Sequence, residues 1–469
     1  MSTINAPTYD PTSTAQAMAT KTNAAAQEIL TNQTNTASAT STALSKLSSA
    51  ISSFQSSLSS LTGLGKSVLA QTATLSDSSI GTASAKPRAS SGSYSLFVKQ
   101  LATTSQVSYN NLSDGRAAGG LLTVKLADET AGTTSASFNV DLSAGSADTD
   151  KDGVLSIREV AAAINRASGN TGLVSAGVVT IGTESRLVLT SKNTGVANTV
   201  SLDASGVSDA SLQTGLGVRS TIAAAKDATI LLGGQASGTA ITQSSNTFTN
   251  IDGVSMTFTR AQAASENDIK LNVASDSGGT VANVQSFVDA YNKLKSAIDT
   301  LVDAGDPTNK KASGAFAHDA GIKALQSRLV SMVRSTGSSS LASYGIVATR
   351  DGTLSLDSTR LTKQLTANPN GLDDLIGSAS TSSPTGIAGS MNTYLNLWSN
   401  SATGQLKQRG DAVTKLQSTL TQRQTDLDAQ FDAAYNRYLK QFTDLQTLQS
   451  TMNSNVSLFD AIFSSDKSA

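Results

Sequence analysis

Cysteine is absent from the 469 residues, which excludes disulfides, thiolate metal sites and cysteine nucleophiles. Histidine occurs once, at His318, so a His–metal pair, an HExxH protease site and a Ser-His triad all lack members. Charge is sparse: 34 basic against 35 acidic residues leave a net charge of −1, and charged residues make up 15% of the chain. A field that would gather nucleic acid or anionic lipid is missing. Aromatics are only 4%, and hydroxyl and amide side chains supply much of the polarity. No run of about 18 apolar residues occurs, so no membrane insertion is expected. The start, MSTINAPTYDPTSTAQ, has neither the basic nor the apolar region of a Sec-type signal peptide. These absences leave no nucleic-acid partner and no enzyme chemistry to expect.

What the chain does have is periodicity. Residues 1–40 are small and polar with Pro7 and Pro11, and disorder is expected there unless a partner orders them. From Leu44 onward, Leu47, Ile51, Phe54, Leu58, Leu61 and Val68 fall on a heptad seam. Between about 93 and 275 the period drops to two, in runs such as SYSLFVKQ, SFNVDL and RLVLTS, interrupted by a short helix at REVAAAINRA and a second helical candidate at VSDASLQTGLG. A helical stripe returns at Val284, Phe287, Val288, Tyr291, Leu294, Ile298 and Leu301. Another helix is expected around 319–335, then two short strands about an Asp351-Gly352 turn. The last seam runs from Leu406 to Phe463 and includes Phe431, Tyr435, Tyr438, Phe442 and Leu445, a helix on the order of 85 Å.

A helix that long needs partners along its length. The expected fold is an α+β multidomain chain: a helical coiled-coil rod from the N- and C-terminal segments with two inserted β-rich lobes. The expected divisions are 1–40, disordered; 41–76 with 277–430, a helical leg; 77–113 with 223–276, an inner β lobe; 114–222, an outer β lobe; and 431–469, a C-terminal assembly helix. Leu47, Ile51, Phe54 and Leu58, with Phe431, Tyr435, Tyr438, Phe442 and Leu445, are the candidate oligomer contacts.

One stretch carries the pattern of a metal site. In DTDKDGVLSIRE, residues 148–159, Asp148, Asp150 and Asp152 stand at positions 1, 3 and 5 of a twelve-residue calcium loop. Gly153 stands at 6, Val154 at 7 with its carbonyl, Ser156 at 9 and Glu159 at 12. Calcium takes six to eight oxygens, and such alternation in a tight turn converges carboxylates. The same residues also read as a solvated Asp-Gly turn followed by a capping box, with Ser156 capping a helix and Glu159 reaching back. Structural Ca2+ and the plain capped turn both stand.

The order of elements resembles that of bacterial flagellar axial proteins, and within them the hook-associated protein 2 family of filament caps. The segments that carry the resemblance are YSLFVKQLATTSQ (94–106), AAAINRASGNTGLVSAGVV, FVDAYNKLKSAID (287–299), LASYGIVATRDGTLSLDSTRL (341–361) and YNRYLKQFTDLQTLQSTMNS (435–454). The first residues depart from the Gly-Leu-x-Ser-Gly-Leu-Asp start of many caps. The resemblance implies export unfolded through the flagellar type III channel without a cleaved signal peptide, and an extracellular place at the distal tip of the flagellum. It implies a homo-oligomeric ring that assists flagellin folding and insertion. Flagellin, the hook–filament junction protein and an export chaperone are the implied partners. The alternatives are another axial protein, either a junction protein or a flagellin, and a tip adhesin for host glycans.

Overall fold

The computed structural model describes residues 9–464 except 111, 113–114, 117, 144, 183 and 335–339, with backbone alone at 115–116, 118 and 463–464. Two compact units divide the chain: Met1–Val68 with Val281–Ala469, and Leu69–Thr280. The helical unit starts where Asp10 accepts hydrogen bonds from the backbone N–H groups of Thr12 and Ser13, with Pro11 in the first turn. Helix α1 (Pro11–Thr62) follows, and the Gly63 N–H bonds the Ser59 carbonyl at its end. The expected disorder over residues 1–40 is thereby corrected from residue 11 onward, while Pro7 lies outside the described residues. Ala15, Ala19, Leu30 and Ala37 are buried on the same face as Leu44 and Leu47. Alanine has the highest helix propensity and lets a partner helix approach closely, so the seam continues without large apolar groups. Val68, placed on the helical seam, lies past the helix end and is buried there.

The second unit is β-rich with two separate cores. It opens with β1 (Ala70–Leu75), β2 (Gly81–Ala85) and β3 (Gly92–Gln100). Residues 70–75, expected in the leg, are therefore strand. An outer lobe follows: β4 (Thr104–Tyr109), β5 (Gly115–Arg116), β6 (Ala118–Asp128), β7 (Thr133–Ser143), β8 (Val154–Leu155), α2 (Ile157–Arg166), β9 (Val174–Ile181), β10 (Glu184–Thr194), β11 (Thr199–Val207), α3 (Ala210–Gly217) and β12 (Arg219–Ala223). The chain then returns through β13 (Ala228–Leu232), β14 (Thr239–Gln243), β15 (Thr247–Phe248), β16 (Val254–Phe258) and β17 (Ile269–Asp276).

The inner lobe has sheets ordered β1–β17–β3–β13–β14 and β15–β16–β2 around Leu96, Val98, Ile230, Phe248, Met256 and Leu271. The outer lobe has sheets ordered β12–β4–β10–β9 and β11–β6–β7 around Tyr109, Leu122, Val124, Ile164, Leu187 and Leu189. Strand β4, expected in the inner lobe, belongs to the outer one, because Tyr109 pairs with both Leu187 and Arg219. Those partners lie far along the chain, beyond the reach of local pattern.

The helical unit resumes in α4 (Ser277–Val302), whose predicted stripe is wholly buried. There follow α5 (Ala320–Val333), the hairpin of β18 (Ile346–Ala348) and β19 (Leu354–Leu356), α6 (Ser358–Ala367), α7 (Gly371–Ile376), α8 (Gly386–Ser399) and α9 (Gln405–Ser464). The hairpin is fixed to α4: Asn292 bonds both the N–H and the C=O of Leu354, each at 2.8 Å, and Tyr291 donates to the Gly352 carbonyl at 3.1 Å. Gly352, at φ +88°, takes a conformation in the turn that side chains disfavour.

Candidate functional site

In the outer lobe the acidic loop is shaped by its own backbone. Asp148, buried, accepts from the N–H of Lys151 at 2.6 Å and of Gly153 at 3.0 Å. Asp150 accepts from the Asp152 N–H and Asp152 from the Val154 N–H. The turn takes Lys151 and Gly153 into the left-handed region, at φ +62° and +81°. Oxygens of the three carboxylates come within 4.8 Å of one another. The Asp152 N–H works to lower the Asp150 carboxyl, but burial and the charges of Asp152, Glu159 and Asp148 outweigh it and leave it raised.

Glu159 points elsewhere. One oxygen accepts from the Thr149 N–H and hydroxyl at 2.7 and 3.0 Å, the other from the Ser156 N–H and hydroxyl at 3.0 and 2.9 Å. Ser156 in turn accepts from the Glu159 N–H, completing a capping box at the start of α2. Burial works to raise the Glu159 carboxyl, and the hydrogen bonds from Ser156 and Thr149 overcome it and hold it down to about 2. Of the residues expected to ligate calcium, the structure brings Asp148, Asp150 and Asp152 together. Ser156 and Glu159 are committed to each other, and Val154 lies in the short strand β8.

Behind the loop, two asparagines fasten α2 to β9. Asn165 bonds the N–H and C=O of Ala176 at 2.9 and 2.7 Å. Asn170, buried, bonds the N–H and C=O of Val174, each at 2.9 Å, and donates to the Ile164 carbonyl. Both asparagines fall in the AAAINRASGNTGLVSAGVV segment that carries the family resemblance, which gave no role to either. The available signal was a pair of asparagines, each able to satisfy both backbone groups of a strand residue.

In the helical unit, α1 and α9 run antiparallel. The Gln27 and Gln424 amides bond reciprocally at 3.0 and 3.1 Å. The Thr22 and Tyr438 hydroxyls meet at 3.3 Å, and the Tyr9 ring meets Phe442 edge-on at 5.7 Å. Leu30, Ala37, Leu420 and Leu427 form the seam between them. Phe431, Tyr435, Tyr438 and Phe442 are half-buried, while Leu445 is exposed. Phe463, on the predicted seam, has no described side chain.

Leu47, Ile51, Phe54 and Leu58, expected as contacts to other copies, are corrected to internal core. All four are buried, the Phe54 ring meets Tyr291 at 6.4 Å, and Gln55 beside them bonds Asn392 and Asn396 of α8. His318 is exposed beside Asp319, which caps α5 and pairs with Arg409. Among the described residues no helix is long and apolar enough to cross a membrane.

Residues 8–105 match the family model described as flagellar hook-associated protein 2 N-terminus, and residues 225–454 the one described as its C-terminus. A lateral flagellar hook-associated protein 2 of Vibrio parahaemolyticus is 34% identical over 83% of this chain and 86% of its own. The B-type flagellar hook-associated protein 2 of Pseudomonas aeruginosa is 29% identical over 82% of this chain and 81% of its own. The fold is similar to that of the flagellar cap protein FliD D1-D2-D3 domains from Escherichia coli, with a TM-score of 0.61 at 24% identity, covering 79% of this chain and 99% of that one. The chain belongs to the flagellar hook-associated protein 2 family, a family of structural flagellar proteins and not of enzymes.

Proposed function

We propose that the protein caps the flagellar filament as a homo-oligomeric ring at its distal tip and assists flagellin folding and insertion there. Family membership supports the flagellar role. The observation that supports assembly is the unfinished α1/α9 pair. One of its grooves, about 500 Å³, lies among Ile29, Ala37, Val413 and Leu416, and a second, about 540 Å³, among Ala24, Leu427 and Phe431. Beyond Phe442, Leu445, Leu448, Met452, Leu458, Phe459 and Ile462 of α9 are exposed. Two helices do not enclose such a stripe, and further helices from neighbouring copies or flagellin complete it. The junction protein and an export chaperone are further partners in this reading, with type III export as the route out of the cell. In a strain lacking the gene, flagellin should be secreted as monomers and motility lost, and both should be restored by this chain. Normal filaments in that strain would remove the reading.

Within this function the acidic loop serves as a structural calcium staple of the outer lobe, open in calcium-poor cytosol and locked outside. Asp148, Asp150 and Asp152 supply the carboxylates, with the Val154 carbonyl and water completing the oxygens, and Glu159 joins only by leaving its cap. Millimolar calcium should raise the melting temperature of the full chain, and Asp150→Ala should abolish the rise. An unchanged calorimetric trace leaves the capped turn alone.

A further inference from the structure

The outer lobe's four-stranded sheet has β12 and β9 as its two edges. All its pairings are antiparallel, and an even number of antiparallel strands makes the two edges run in opposite directions. A second copy set head to tail beside the first adds its β12 antiparallel to β9, and the alternation continues unbroken.

Hydrogen-bond parity fixes which groups each edge presents. The Lys192 N–H bonds the Leu173 carbonyl, and Leu173 and Lys192 continue the β9–β10 register in which Val174 faces Ser191. Odd-numbered residues of β9 are therefore bonded to β10, and even-numbered ones direct N–H and C=O outward. At Val174 and Ala176 those groups are taken by Asn170 and Asn165. At Val178 and Thr180, among the described residues, no hydrogen bond takes them. The same alternation, carried through Leu187–Tyr109 and Leu189–Val107, leaves Arg219 and Thr221 of β12 facing outward. Val178 against Thr221 and Thr180 against Arg219 then satisfy both N–H and both C=O groups of each facing pair. This register also sets Ile181 opposite Val218, side chains that are 57% and 59% exposed.

The β9 edge lacks the usual protection against such pairing, and the one charge on β12, Arg219, is paired with Glu129 within its own chain. Open edges normally carry lysine, proline or inward charge, whereas β9 has no charged residue and ends in Val178, Val179, Thr180 and Ile181. The asparagines close its first half and leave the second open. The geometry points to a heterologous contact between copies, β9 of one outer lobe pairing with β12 of the next, in the register that faces Ile181 with Val218. Repeated around an axis, a heterologous contact closes a ring when the rotation between neighbours divides a full turn. The inference rests on the ring reading above and names a second surface, in the outer lobe, that joins neighbouring copies within it.

The cysteine-free chain makes the test direct. Within one copy positions 181 and 218 lie on opposite sheet edges, three strand spacings or about 14 Å apart. A disulfide needs Cα atoms within about 7 Å, so any bond between these positions joins two chains. After oxidation, the full-length Ile181→Cys, Val218→Cys double variant should run as a ladder of linked species under non-reducing conditions. The two single variants mixed should give the heterotypic dimer, and each alone should give little. Adding Thr180→Pro, which removes an outward N–H and spares the ladder to β10, should abolish the cross-link at unchanged melting temperature. Rings visible in the electron microscope without cross-linking would overturn the contact and leave the ring intact. Equal linking by Ile181→Cys alone would overturn its heterologous form. Neither rings nor links at any concentration would remove both readings.

Discussion

The two halves of α1 keep one heptad seam and end in opposite situations. Over residues 44–58 the seam carries Leu44, Leu47, Ile51, Phe54 and Leu58, and α4 and α8 enclose it within the chain. Over residues 15–37 it carries Ala15, Ala19, Leu30 and Ala37, and among the described residues α9 alone covers it, leaving a groove on either side. Side-chain volume decides the difference. Large side chains demand several neighbours and recruit the chain's own helices. Alanines let one helix come close and leave the flanks for other chains. The stretch that looked too poor in apolar residues to fold is thus the one whose flanks stay open, the surface proposed above for assembly.

Substitutions can break this contrast. Phe54→Ala, emptying an enclosed site, should cost about 3–5 kcal/mol and lower the transition of the helical unit in calorimetry; a cost well under 1 kcal/mol would mean the C-terminal half of α1 is not the true core. Ala37→Leu, forcing bulk into the close α1/α9 approach, should cost about 1–3 kcal/mol, read by denaturant titration. If it stabilises the chain instead, the close packing assigned to that alanine is wrong.

Helix α2 offers a control whose ends are closed by polar groups. Ser156→Ala should cost about 1 kcal/mol and leave assembly untouched. Glu159, held at about 2 against an ordinary 4.5, contributes its stability fully above the ordinary value and loses it as pH falls from 4.5 toward 2. Ser156→Ala should flatten that decline, measured as melting temperature against pH. The smallest effect on folding should come from Ile29→Ser, at a side chain 60% exposed. Monomer stability should stay within about 0.5 kcal/mol while oligomers seen in sedimentation are lost.

Much of this was legible in residues. The α4 stripe from Val284 to Leu301, the length of α9 and the Ser156–Glu159 cap all follow from spacing within one element. What escaped depends on volume or distance. The early half of α1 was hidden because its seam is alanine, although Asp10-Pro11 is a helix-start signal. Strand β4 was misplaced because Tyr109 finds its partners at Leu187 and Arg219. The calcium pattern was legible as a loop, but the hydrogen bonds that turn Glu159 to Thr149 depend on how the loop folds back on the start of α2. Whether Leu47 or Phe431 faces its own chain or another cannot be read from a heptad, which gives a seam and not its occupant.

The central claim is that neighbouring copies complete the seam which this chain leaves open. Electron microscopy of the purified full-length protein, without flagellin, tests it most directly. The account predicts closed rings of several copies that disappear in Ile29→Ser. Particles that stay monomeric at every concentration, or rings that persist unchanged in that variant, would contradict it.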